Sequence, residues 1–143
     1  MSAGVYNIGD RAITGALTDE VITSGVSTQG VVQEFIDGLD WMAAATLFCN
    51  FTYGSGGATC IVIVQTSLDT LNWIDIARFE FTTTGKAKRA NLSALTPVGV
   101  ADVATLVAEG VLDGILGDRL RVKISTTGTY AGNTAIAVRA AVR

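Results

Sequence analysis

The 143-residue chain has no histidine, one proline (Pro97), two cysteines and few charges. The missing histidine removes the side chain that most often serves as metal ligand and as general base. It also excludes a Ser-His-Asp triad. Two thiols with no imidazole leave a zinc site half built. Charged residues make up 16% of the chain, against about 25% in ordinary domains. Apolar residues make up 49%, so the composition is not that of a disordered segment, which combines low hydrophobicity with high net charge. No apolar run approaches the ~20 residues that cross a bilayer. The longest candidates are Ile61 to Val64 and Met42 to Cys49, the second interrupted by Thr46. The opening Met1-Ser2-Ala3-Gly4-Val5 has neither the basic nor the apolar stretch of a secretory signal. The expectation is a single domain that is synthesised and folds in a cytoplasm.

Charge of one sign is scarce in each half. Residues 1–77 hold eight acids and one base, Arg11, for a net of −7, and residues 78–143 hold nine bases and five acids, for a net of +4. The whole chain carries −3, with a pI of about 4.7. A nucleic-acid binder is normally basic overall, with its cations clustered, so neither nucleic acid nor membrane is expected as a partner. The asymmetry suits opposite-sign contacts between neighbouring copies or with an underlying shell. A compact fold that mixes the two halves would instead erase it.

What the chain has in abundance is Thr, Val, Ile and Ala, punctuated by 16 glycines. Branching at Cβ suits a pleated surface and costs side-chain freedom in a helix. Short strands are expected at Arg11 to Leu17 and at Val21 to Thr23, and Gly30 to Leu39 also alternates in strand fashion. In Leu47 to Tyr53 every odd residue is apolar and Asn50 and Thr52 are polar, the pattern of a half-buried strand. Gly54-Ser55-Gly56-Gly57 reads as a tight turn that returns Thr59 to Thr66 as the hairpin partner. The continuous Ile61 to Val64 run then marks a central strand covered on both faces. Asn72 to Thr82 alternates mostly in period two, and Lys86 to Leu92 is short and basic. Residues 95–118 mix helical spacing with four glycines and allow one short helix at most. Leu120 to Ile124 alternates with Arg119, Arg121 and Lys123, and Thr134 to Val142 alternates again. The reading is an all-β chain, an antiparallel β-sandwich of about eight strands, jelly-roll-like or immunoglobulin-like. Residues 1–30 are read as an extended N-terminal arm or edge strands, and residues 31–143 as the sandwich domain.

Several side chains invite a functional reading. Cys49 and Cys60, on the two arms of the expected hairpin, would be diagonal neighbours. They are either reduced core residues or a bridge formed later. Asp113 and Asp118 bracket Gly114 to Gly117; paired carboxylates can bind calcium or cleave glycosides, but Asp-Gly and Gly-Asp are also ordinary turn dipeptides. Ser67 to Trp73 is weakly similar to the Asp-box turn of sugar-processing propellers, without its glycine and threonine, and reads as a hairpin turn. Trp41, Trp73 and Tyr53 either form a sugar-stacking platform or fill the core. Arg119, Arg121 and Lys123, with Lys86, Lys88 and Arg89, are the candidate partner-contact residues: a basic face for docking, or a solvated face that protects strand edges.

Phe51-Thr52-Tyr53-Gly54-Ser55-Gly56-Gly57, Val64-Gln65-Thr66-Ser67-Leu68-Asp69 and Trp73-Ile74-Asp75-Ile76-Ala77 are followed by Asp113 to Val122 and Gly128 to Thr134. Together, over about residues 45–143, these strings resemble small virion structural proteins of tailed bacteriophages and prophages. They are turn-and-strand framework and not catalytic signatures. The stretch Val98 to Val111 departs from that framework, being more apolar and less turn-rich. The resemblance implies a virion component at the capsid surface, most simply a head decoration (cement) protein. Its implied partners are the major capsid protein and neighbouring copies of itself in a symmetric oligomer such as a trimer. Such a protein needs no active site and no cofactor. The alternative is a carbohydrate-binding sandwich on a tail or head fibre.

Overall fold

The computed structural model describes residues 2–143, and among them there is no helix. Twelve strands follow in chain order: β1 (Gly4–Ala12), β2 (Glu20–Val21), β3 (Gly25–Val26), β4 (Val32–Gln33), β5 (Ala44–Thr52), β6 (Ser55–Gly56), β7 (Thr59–Ser67), β8 (Trp73–Phe81), β9 (Lys86–Ser93), β10 (Leu120–Thr127), β11 (Tyr130–Ala131) and β12 (Ala135–Val142). A first sheet has the order β1-β12-β5-β9 and a second the order β2-β10-β7-β8; β11-β6 and β3-β4 are two-stranded. All pairings are antiparallel. Counted along the chain, the eight strands of the two large sheets occupy places one, eight, three, six in the first and two, seven, four, five in the second. This is the double Greek key of a jelly roll, so the jelly-roll form of the sandwich is the one adopted.

Alternation drives the closure. On β5, Leu47, Cys49 and Phe51 are buried while Phe48, Asn50 and Thr52 are exposed. On β12, Ile136, Val138, Ala140 and Val142 point inward in the same way. The second sheet supplies Cys60, Val62, Val64, Leu120, Val122 and Ile124, each fully buried. Facing inner surfaces about 10 Å apart are how such sheets hide their Val and Ile. Strand β7, between β10 and β8, is also covered on its outer face, where Gln65 and Ser67 are buried.

The expected hairpin between Leu47–Tyr53 and Thr59–Thr66 does not form. Strand β5 pairs with β12 and β9, and β7 pairs with β10 and β8. The glycine-rich segment carries the chain from one sheet to the other. Both strands need an inward face, and placing them in opposite sheets lets each cover the other. Cys49 therefore lies opposite Val138 and Lys88, and Cys60 opposite Thr126 and Phe81. Both are free and buried, and burial pushes both thiols up, that of Cys60 to about 12.

Within residues 2–30, Gly4–Ala12 and Glu20–Val21 are edge strands of the two large sheets. Strand β1 begins at Gly4 and pairs with β12 of its own chain. A register shift between Asn7 and Gly9 buries Ile8 and lets Asn7 Oδ1 accept from the Gly9 N–H at 3.0 Å. Thr23 ties the two sheets together, accepting from the Val122 N–H at 2.7 Å and donating to the Ile8 carbonyl at 2.5 Å. Of Gly30–Leu39, only Val32–Gln33 is strand, with one isolated bridge from Ile36 to Leu120. Residues 95–118 form a loop with no helix, because their glycines and the lack of a continuous apolar face give helical spacing nothing to pack.

An aromatic cluster closes one end. Phe51 stacks on Phe81 at 5.0 Å and meets Tyr130 edge-on at 5.8 Å. The buried Tyr130 hydroxyl donates to the Thr82 carbonyl at 2.6 Å. Gly57, at φ +66°, lies under that ring: a Cβ there would come within 2.4 Å of it. Gly57→Ala is therefore expected to destabilise by about 2–4 kcal/mol, combining left-handed backbone cost with overpacking. Gly99→Ala, where an added Cβ meets nothing within 4 Å, is expected to stay within about 0.5 kcal/mol. Urea unfolding of both variants provides the comparison.

The β7–β8 turn is built on Asp69. Its Oδ1 accepts from the Leu71 and Asn72 N–H groups at 2.9 and 2.7 Å, and its Oδ2 from the Asn72 side chain at 2.6 Å. These bonds, the Asn72 N–H foremost, hold the carboxyl down at about 2. Asp10, Asp113 and Asp118 are also lowered, the first and last chiefly by arginine partners and Asp113 chiefly by the Ser93 N–H. Their folded-state values lie below the unfolded value of about 3.9, so their stabilisation is complete above about pH 5 and is lost as pH falls through the folded values. The urea midpoint is expected to be flat from neutral pH to about 5 and to drop between about pH 4 and 2, with a shallower drop in Asp69→Asn.

Candidate functional site

The six basic residues do not form one face. Arg119, Arg121 and Lys123 lie along β10 and the residue before it, on the outer side of the second sheet, while Lys86, Lys88 and Arg89 lie on β9 at the far edge of the first. Arg89 lies opposite Phe48 on that sheet's outer surface, and Lys86 is exposed at the strand's start. Lys88 turns to the open edge between the sheets. There it donates to the Glu80 carbonyl at 2.6 Å, pairs with Glu109 and lies 5.0 Å over the Phe81 ring.

On the second sheet the cations are already engaged. Arg119 pairs with Asp118 at 2.9 Å and sits 4.8 Å over Phe35. Lys123 reaches Asp19 at 3.7 Å. Arg121 Nε donates to Gln65 Oε1 at 2.8 Å, with the guanidinium 4.3 Å over Trp73. Gln65 Nε2 in turn donates to Asp75 Oδ1 at 2.6 Å. Arg121, Gln65 and Asp75 are cross-strand neighbours in register, next to a bulge between Val64 and Gln65 that leaves Ile76 unpaired. Asp75 is 95% buried (5% relative exposure), and its Oδ2 has no hydrogen-bond partner. The alternation of residues 119–124 puts the cations of β10 on one face, while Trp73 is left as either platform or core; the bulge, and with it the burial of Asp75, leaves no mark on the alternation of residues 73–81.

Asp113 and Asp118 are each engaged locally. Asp113 Oδ1 accepts from the Ser93 and Gly114 N–H groups at 2.6 and 3.0 Å, while Asp118 holds Arg119. Among the described residues, no group of three or more His, Cys, Asp or Glu is placed to hold a metal ion. The three aromatic rings of the stacking-platform reading are dispersed. Trp41 precedes β5 and Tyr53 follows it, nine residues of extended strand apart, and Trp73 is on the other sheet. All three are half-buried, Tyr53 packing edge-on against Tyr130 at 6.2 Å.

The largest departure from an ordinary surface is the loop after β9. Leu95, Val98, Val100, Val103 and Val107 are exposed, Val100 fully so, and Leu68 and Leu71 of the β7–β8 turn are exposed too. Leu68 and Ile74 share an apolar groove of about 560 Å³ with residues 98–106. Among the described residues, the backbone of residues 96–105 makes no hydrogen bond to another backbone group. The loop is held at its start by the Thr96 side chain on Asp113 and beyond residue 105 by Arg78 Nη1 to the Leu106 carbonyl, the Arg78 N–H to the Gly110 carbonyl and the Leu112 N–H to the Ile76 carbonyl.

No family model matches the chain, and no curated protein matches it. Solved structures resemble it distantly. One described as "CBM4 structure and function" aligns over 96% of this chain and 79% of its own length, with a TM-score of 0.39 and 13% identity. A family 29 carbohydrate binding module from Piromyces equi aligns over 99% and 92%, with a TM-score of 0.33 and 11% identity. A chain of the mud crab dicistrovirus structure aligns over 95% and 66%, with a TM-score of 0.36 and 13% identity. The double Greek key itself stands on this chain's own strand pairing.

Proposed function

We propose that the chain is a non-catalytic structural subunit of a tailed-bacteriophage virion, most simply a decoration protein that binds the outside of the head and stabilises it. Its partners in this reading are the major capsid protein and copies of itself. The observation that carries it is the exposed apolar loop: five large aliphatic side chains from Leu95 to Val107 are held in solvent on a segment whose residues 96–105 make no backbone–backbone hydrogen bond. Contiguous apolar patches of this kind mark contact surfaces. Free backbone N–H and C=O groups on such a segment can add to a neighbour's sheet edge. Many weak contacts repeated over a symmetric shell sum to firm attachment. The resemblance of residues 45–143 to phage structural proteins supplies the setting.

A second reading, a carbohydrate-binding module used in host attachment, is favoured by one observation. The buried Asp75 lines a shallow pocket on the second sheet's outer face together with Trp73 and Lys123.

Mass spectrometry of purified particles, with heads and tails separated, tests the first reading. Hundreds of copies in the head fraction are expected; a handful of copies with the tail would overturn it. The triple variant Val100→Asp, Val103→Asp, Val107→Asp is expected to keep its unfolding free energy within about 1.5 kcal/mol, about 0.5 kcal/mol for each exposed site, and to lose attachment to stripped heads. Undiminished attachment would remove the loop from the account.

A further inference from the structure

The outer face of the second sheet contains a polar arrangement that an assembly role does not use. Its centre is Asp75, whose Oδ1 is held by Gln65 and whose Oδ2 is buried without a donor. An unpaired buried carboxylate oxygen carries a desolvation cost that natural folds seldom leave uncompensated. Asp75 lines a pocket of about 260 Å³ together with Gln65, Trp73, Val103, Thr105 and Lys123, among others. The bulge at Ile76 sets Asp75 directly opposite Gln65, and bulges recur where a sheet re-aims a side chain toward a ligand.

The chemistry narrows the ligand. Oδ2 accepts and cannot donate, so the ligand must present a donor. Lys123 and Thr105 offer donors on the same pocket, so the ligand must also accept. A guanidinium or ammonium group donates but cannot accept, so it would leave the Lys123 and Thr105 donors unanswered. A neutral hydroxyl fills both roles at once: it donates to the carboxylate and accepts from the amine. Val103 and the part of Trp73 that lines the pocket, beside the face covered by Arg121, provide apolar surface for the C–H groups of a ring. The volume lies below the 300–1,000 Å³ of pockets for drug-sized ligands and suits one ring, not an oligomer laid along the sheet.

We propose that Asp75, Gln65, Lys123, Thr105 and Trp73 form a binding site for a single neutral sugar ring, with a ring hydroxyl donating to Asp75 Oδ2. This rests on the carbohydrate-binding reading above and specifies its site and ligand size; it does not depend on attachment to a capsid.

The test is titration of the full chain with glucose, galactose, mannose and N-acetylglucosamine, followed by tryptophan fluorescence and saturation-transfer NMR. At least one of the four is expected to bind, weakly, with transfer to its ring protons. Asp75→Asn is expected to weaken that binding about ten-fold or more, as loss of a charge-assisted hydrogen bond does. If Asp75→Asn fails to fold, Lys123→Met and Thr105→Val, whose side chains lie on the sheet's outer side and on the loop, are each expected to weaken it about three-fold. Binding of none of the four sugars would overturn both the site and the carbohydrate-binding reading. Binding that is unchanged in Asp75→Asn, or in both fallback variants, would leave a carbohydrate-binding chain but overturn this site.

Discussion

The fold depends on burying one face of each sheet against the other. Leu47, Cys49, Phe51, Ile136 and Val138 on one side, and Val62, Val64, Val122 and Ile124 on the other, leave almost no apolar surface exposed between the sheets. With so few charges and no helix among the described residues, the chain has no other way to hide its Val and Ile. The jelly-roll order follows from that need, because strands consecutive in the chain, such as β5 and β7, or β8 and β9, fall in opposite sheets and cover each other. Edge strands complete it: β1 adds to β12, and Thr23 bonds to both sheets where they meet.

Function then falls to what the core does not use. The second sheet's outer face is a lattice of cations, aromatics and one buried carboxylate, all but one of its strong acceptors already satisfied. The loop from residue 95 to 107 is its opposite, apolar and exposed, with no backbone–backbone hydrogen bond over residues 96–105. The core closes completely, and the exposed aliphatic side chains of residues 95–107 are an apolar surface that it does not use.

Much of this was legible in the residues. The alternation of Arg119–Ile124 and Thr134–Val142 gives β10 and β12 with their inner and outer faces, and Leu47–Tyr53 gives β5. Periodicity fixes which face a strand buries but not which strand lies beside it, so the partner of β5 was misread as β7. Strand β1 was hidden because Gly4, Gly9 and the register shift at Asn7 break its period. Gly30–Leu39 alternates like a strand but finds pairing only at Val32–Gln33 and in one bridge at Ile36. The basic residues were visible as a row on β10, but their engagement by Asp118, Gln65 and Asp19 depends on loops and neighbours that a one-dimensional pattern does not contain. The burial of Asp75 arises from a bulge, and nothing in Trp73 to Ala77 marks one.

The central claim, that a closed jelly roll adheres through the loop after β9, is tested most directly by hydrogen exchange measured on the free protein and on the protein bound to heads. Free, the amides of residues 96–105 are expected to exchange at nearly unprotected rates while those of β5, β7, β10 and β12 are slow. On the shell, new protection is expected to concentrate in residues 96–109. Protection of that loop already present in the free protein, or a bound state that shields other surfaces and leaves it exchanging freely, would contradict the account.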